Sequence, residues 1–236
     1  MLLTEDSSEQ AFATLKAVSF ELLRLVDPQC RPQKLGIEPV AKEHQPVVRA
    51  NMWRSTNARH QRQNTDFIRY MATMLSQDTS FVFFHVDGDA QWANRDESKT
   101  VEQFENLVVG KIKKLLGAKA TTERLGRLFR ITPFYSIEAW LFQNTSVAIA
   151  ICARNYQHRD IKLFEAWSNN RHELDEIEKI KTQTCLASKH NLELAEMGFP
   201  ASIVHGVGKS FAEVVGLLKS SELLVSTLAK TRHPVP

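Results

Sequence analysis

The sequence predicts an α/β protein: a mostly parallel sheet flanked by helices, followed by a largely helical C-terminal part. Three observations predict it. Residues 81–86, FVFFHV, hold five apolar side chains and one histidine, a run that needs cover on both faces and reads as a buried strand. An amphipathic stretch and a second short apolar run come after it at the spacing of a parallel crossover. From Thr145 onward the pattern is mostly helical to the end.

A chain of 236 residues suffices for one large domain or for a core domain with an added lobe. Its 43% apolar and 24% charged content is that of a folded, globular chain, and nine glycines and eight prolines exclude a loop-dominated one. The longest apolar run, Val147 to Ala153, is too short to span a bilayer, and the N-terminus lacks the basic flank and cleavage site of a signal peptide. A cytoplasmic protein with no membrane contact is the expectation. Cys30, Cys152 and Cys185 fit neither a disulfide framework nor a zinc ribbon, which points to reduced, structural thiols. The net charge of +3 is too small to argue for nucleic acid by itself, so the distribution of charge carries that question.

Taken in order, Ser7 and Gln10 match a capping box, and Phe12, Leu15, Val18, Leu22 and Leu25 make one apolar stripe of a first helix. Glu5 just before it reads first as a helix-start acid and only second as a functional carboxylate. Residues 27–64 carry no sustained periodicity and four prolines, the mark of a functional loop or an inserted lobe. This insert is basic: Arg31, Lys34, Lys42, Arg49, Arg54, Arg59 and Arg62, with Trp53, His44 and His60 interleaved, suit a phosphate backbone and a stacked base as well as a solvated loop. Thr65 to Leu75 is a helix feeding the organising strand. After that strand, Glu102 to Leu116 reads as a helix with Phe104, Val108, Ile112 and Leu115 on one side. Lys111, Lys113, Lys114, Lys119, Arg124, Arg127 and Arg130 make a second basic stretch against Glu123 alone. Leu128 to Phe134 is a second strand, ended by Pro133.

The organising strand stops on acid. Asp87 and Asp89, separated by Gly88, stand at the carboxyl end of a strand, the edge where open α/β sheets place ligands. Two hard oxygen donors around a glycine turn suit one Mg²⁺ or Mn²⁺, although Asp-Gly-Asp is also ordinary turn chemistry. Glu138 is the one charge in the apolar piece YSIEAWLF, where Ser136 can cap a helix. A carboxylate there tips into a polar cleft or has a partner, and it reads equally as an ordinary first-turn acid at a helix N-terminus. In the C-terminal part, the GVGKS run of residues 206–210 fails the spacing of a phosphate loop, and Ser210 to Leu228 reads as one long helix.

With Glu5 after a first strand and Asp87-Gly-Asp89 after a later one, the order resembles the Toprim family, the topoisomerase–primase catalytic fold also used by OLD-type nucleases. LLTEDSSEQAFATL looks like that family's first strand, catalytic glutamate and following helix, although Asp6 stands where a glycine is usual. HVDGDA looks like its DxD strand, and YSIEAWLF is similar to a segment of small stand-alone Toprim proteins that often accompany an ATPase. The resemblance covers residues 1–145, leaving 146–236 as a helical C-terminal region. It implies a Mg²⁺-dependent nuclease acting on DNA or RNA, with an ATPase partner and a place in a defence system. Asp87 and Asp89 would hold the metal, Glu5 would move the proton, and Glu138 would hold a second cation or orient water. Lys111, Lys114 and the insert's Arg54, Arg59 and Arg62 would contact substrate phosphates. Two other readings compete: a DxD glycosyltransferase using Mn²⁺ and a nucleotide sugar, and a degenerate scaffold whose stripe Phe211, Val214, Val215, Leu218 and Leu223 docks a partner. An oligomer fits any of the three.

Overall fold

The computed structural model describes residues 1–4, 8–49, 52–77, 79–88, 99–207 and 209–232. Three parallel strands, β1 (Leu2–Leu3), β2 (Val82–His85) and β3 (Leu128–Ile131), form one sheet in the order β1-β2-β3. Leu2 stands beside Phe83 and Val82 beside Leu128. The ladder runs on past β2, because the Val86 N–H donates to the Ile131 carbonyl at 3.2 Å and the Gly88 N–H to that of Pro133 at 3.1 Å. On the other side, the Leu2 N–H donates to the Glu38 carbonyl at 2.8 Å. The basic insert therefore covers the open edge of β1.

Helix α1 (Glu9–Val26) begins one residue later than the capping box suggests, since Ser8 is the cap and its hydroxyl accepts from the Ala11 N–H at 3.1 Å. Within the insert, α2 (Gln45–Arg49) and a 3₁₀ turn (Met52–Arg54) lead to α3 (Ala58–Leu75). That helix starts seven residues before the expected Thr65. Asn57 caps it by accepting from the Arg59 N–H, and a polar first two turns hide this start from any apolar periodicity. After β2 come α4 (Lys99–Phe104), a π turn (Glu105–Val109) and α5 (Gly110–Leu116), then the short α6 (Thr122–Leu125) before β3. Phe104, Val108 and Ile112 are buried as expected, whereas Leu115 is 48% exposed, because the π turn shifts the helical register of α5.

Beyond β3 lie α7 (Glu138–Leu141), α8 (Thr145–Asn155), α9 (Ile161–Asn169), α10 (Asn191–Glu196), α11 (Ala201–Val207), α12 (Lys209–Lys219) and α13 (Glu222–Ala229). The single long helix expected over Ser210 to Leu228 is two. Ser221 breaks it by capping α13, its hydroxyl accepting from the Leu224 N–H at 3.3 Å. Among the described residues, no single helix is long and apolar enough to cross a membrane.

Alternation along the strands splits the core in two. Leu2, Phe83, Phe129 and Ile131 face α1 and the helices from α7 onward; Leu3, Val82 and Phe84 face the insert, α3 and the α4–α5 segment. Phe84 sits at the centre of the second face, with its ring edge-on to Trp53 at 6.0 Å, Phe67 at 6.3 Å and Phe104 at 5.1 Å. Trp53 thus anchors the insert in the core, and the insert is not a detached lobe. On the first face, Phe211, Val214, Val215 and Leu218 of α12 are all buried. Those four residues, offered above as part of a docking face for a partner, are core, while the fifth, Leu223, lies on α13 and is half-buried.

One polar relay crosses this first core. The Trp140 indole N–H donates to the Ser210 hydroxyl at 2.8 Å, and that hydroxyl and the Ser210 N–H donate to the two Asp175 oxygens, both at 2.7 Å. Burial pushes the Asp175 carboxyl above its ordinary value, and these two hydrogen bonds pull it part of the way back. Ser210→Ala strands the indole and removes one donor from the carboxylate, so unfolding by denaturant should show a loss of about 2–4 kcal/mol. The raised carboxyl also sets a pH signature. The folded state binds the proton first, so wild type should gain stability over Asp175→Asn as pH falls, fully below the unfolded value of 3.8, and lose it as pH rises through the folded value.

Candidate active site

Parallel strands end at one edge, and here that edge opens on a cleft of about 490 Å³. Thr4 follows β1 and Asp87 follows β2; both line it, with His85 at the end of β2. The start of α1 supplies Ser8, Gln10 and Thr14, and the turn into α7 supplies Ile137 and Glu138. Lys181, Ser188 and Asn191 close the far wall.

Asp87 is held by neighbours on both sides. Its Oδ1 accepts from the Ile137 N–H at 3.2 Å and stands 3.7 Å from His85 Nε2. Helix α7 has no side-chain cap from its own chain segment, so Asp87 serves the exposed amide at its start from across the sheet edge, a role first expected of Ser136.

Glu138 is only 2% exposed, because Ala139, Trp140 and Leu141 behind it are fully committed to the core and draw the first residue of α7 inward. Its carboxylate has a partner on each oxygen: the Asn191 side-chain N–H donates to Oε1 at 2.8 Å, and Lys181 Nζ lies 3.1 Å from Oε2. The burial cost that the sequence raised for Glu138 is thus met by a cation and a donor, both supplied from the C-terminal helical region. That region is tied to α1 as well, through the Gln10 amide, which donates to the Lys189 carbonyl at 2.6 Å.

Asp87 and Glu138 therefore stand in one cleft. Glu5 and Asp89 lie outside the described residues, as do Asp6 and the expected cap Ser7. Among the described residues, no three His, Cys, Asp or Glu side chains come together. The donor chemistry that remains suits a hard cation: the Asp87 carboxylate with the Thr4 and Ser8 hydroxyls nearby is an oxygen set. Glu138 fits such a cation less directly, since a bond from Oε2 would have to replace Lys181.

The five expected phosphate contacts are not in the cleft lining. Arg59 and Arg62 are exposed near the start of α3, and the Arg54 guanidinium carbon lies over the Trp53 ring, 4.5 Å from its centroid. Lys114 is exposed on α5 and Lys111 half-buried. Of the other cations in that stretch, Arg127 is used internally, donating to the Gln77 carbonyl at 2.6 Å and to Glu123 at 2.7 Å. Lys181 and Asn191 were not foreseen. No motif marks them, whereas His85 stood out as the one polar residue in a buried strand.

The Glu138–Lys181 pair has a measurable consequence. Lys181→Met leaves a buried carboxylate without its cation, and because the Lys181 side chain is half exposed the loss should be about 1–3 kcal/mol. Adding Glu138→Gln should restore most of it, a coupling that a double-mutant cycle in urea reads directly.

No family model, no curated protein and no solved structure matches this chain.

Proposed function

We propose that the protein is a Mg²⁺-dependent nuclease of Toprim type, cleaving phosphodiester bonds of DNA or RNA at the cleft of Thr4, Asp87 and Glu138. The observation that carries this reading is the position of Asp87: it follows the central strand of a parallel sheet, at the edge where β1 also ends, and shares a cleft with a second acid and a lysine. A divalent cation, held by Asp87 and Asp89, would neutralise charge on the phosphate and lower the pKa of water. Glu5 exchanges the proton with the attacking or leaving oxygen. Glu138 holds Lys181 in the cleft wall, where its ammonium offers a charge to a bound phosphate. Arg54, Arg59 and Arg62 and, on α5, Lys111 and Lys114 attract the polymer backbone outside the cleft. The resemblance adds an ATPase partner and a defence setting to this reading.

A scaffold without activity is the second reading, and one observation favours it: Asp87 already has a structural task at the start of α7. Incubating the whole protein with plasmid DNA and with RNA, in Mg²⁺ or Mn²⁺ against EDTA, separates the two. Metal-dependent cleavage that falls by roughly 10²-fold or more in Glu5→Gln and in Asp87→Asn, with folding retained, supports the nuclease. Absence of cleavage under every metal condition would leave the scaffold.

The surface cations make a second expectation. Replacing Arg59 and Arg62 with Ala should weaken binding to all sequences alike and lower the log–log salt slope by roughly one for each phosphate no longer neutralised. An unchanged slope returns them to the solvated face of α3.

A further inference from the structure

Cys152 and Cys185 are 33 residues apart in sequence, yet their sulfurs stand 2.7 Å from one another. Two thiols not bonded to each other rest farther apart than that, and a covalent bond would need a sulfur displacement of well under an ångström. The settings of the two differ. Cys152 is fully buried on α8, and burial together with the Cys185 contact pushes its thiol up to about 12. Cys185 is half-buried, with its N–H donating to Asp160 Oδ2 at 2.6 Å and its thiol directed to the Arg159 carbonyl at 3.6 Å. It lies between Lys181 and Ser188, two residues of the cleft wall. The third thiol, Cys30, is buried and donates to the Leu23 carbonyl within its own segment.

We propose that Cys152 and Cys185 are a reversible oxidation site, forming a disulfide that pins the Lys181–Asn191 segment to α8. The oxidant is hydrogen peroxide. The more accessible Cys185 thiol gives up its proton, its sulfur attacks the peroxide O–O bond to give the sulfenic acid, and the departing hydroxide takes up that proton to leave as water. The Cys152 sulfur then attacks the sulfenic sulfur, the S–S bond forms as the S–O bond breaks, and the hydroxyl leaves as a second water with the Cys152 proton. Two thiols and one peroxide thus give one disulfide and two waters. Both thiols are raised by burial, so thiolate is scarce and the step is slow at neutral pH. The product closes a long loop and reduces the freedom of the unfolded chain. This inference does not depend on what the cleft binds.

The experiment uses the whole protein, reduced, freed of reductant and exposed to hydrogen peroxide, beside a glutathione sample that confirms the oxidant is active. Intact mass should fall by two hydrogens, and peptide mapping without reductant should find Cys152 joined to Cys185 within one chain, reversed by added thiol. The oxidised protein should melt higher by about 4–12 °C, with slower amide exchange over residues 180–190. Cys185→Ser, which keeps the size and a polar tip, should show none of these changes while retaining the reduced protein's melting temperature. The site is overturned if both thiols still take an alkylating reagent after peroxide once the protein is denatured. Joining to Cys30, or between chains, or conversion of Cys185 to the sulfinic acid without a link, would overturn it as well.

Discussion

A four-residue strand buried on both faces constrains everything around it. Val82–His85 has no solvent side, so each face needs its own layer of helices, and parallel neighbours reach it only through crossovers that supply them. One layer is α1 with the C-terminal helices; the other is the insert with α3, α4 and α5. Because parallel strands share a direction, their carboxyl ends also share an edge, and Thr4 and Asp87 line one cleft there although more than a third of the chain separates them. Placement of the cleft is thus a by-product of how the central strand is covered.

The same constraint decides what the cleft is made of. Glu138 is drawn into low-dielectric surroundings by the apolar residues behind it, and a carboxylate there stays only where opposite charge and donors surround it. Lys181 and Asn191 supply them, from segments that otherwise serve to cover the first sheet face. The helices after residue 145 therefore contribute to the site as well as to the core. The relay from Trp140 through Ser210 to Asp175 binds α7 to α12 and holds the platform on which Glu138 stands.

The cations divide by the same logic of burial. Arg127 is buried and spent on the Gln77 carbonyl and on Glu123 at the surface, and Arg54 lies on Trp53, whose ring is part of the second core. Arg59, Arg62 and Lys114 have no such anchorage in apolar surroundings and keep their charge at the surface, where it acts on a polyanion at a distance set by salt.

Sequence alone determined the features that periodicity and uninterrupted apolar runs encode. The double-sided burial of β2, the parallel β3, the stripe of α1, the buried positions Phe104, Val108 and Ile112 and the helical C-terminal region arise from side-chain spacing, which acts over a few residues. Asp87 and Glu138 were legible for a related reason: an acid beside a strand end, or alone in an apolar piece, is anomalous locally. Tertiary structure decided the rest. The early start of α3, on a polar face capped by Asn57, and the break at Ser221 depend on single capping hydrogen bonds that leave no periodic trace. That the insert folds onto the sheet depends on Trp53 meeting Phe84, which lies on the far side of α3 in the chain. Lys181 and Asn191 reach Glu138, and Cys152 reaches Cys185, only because α8 and α10 are packed against their neighbours; contacts of that range depend on where helices dock, and local sequence does not encode docking.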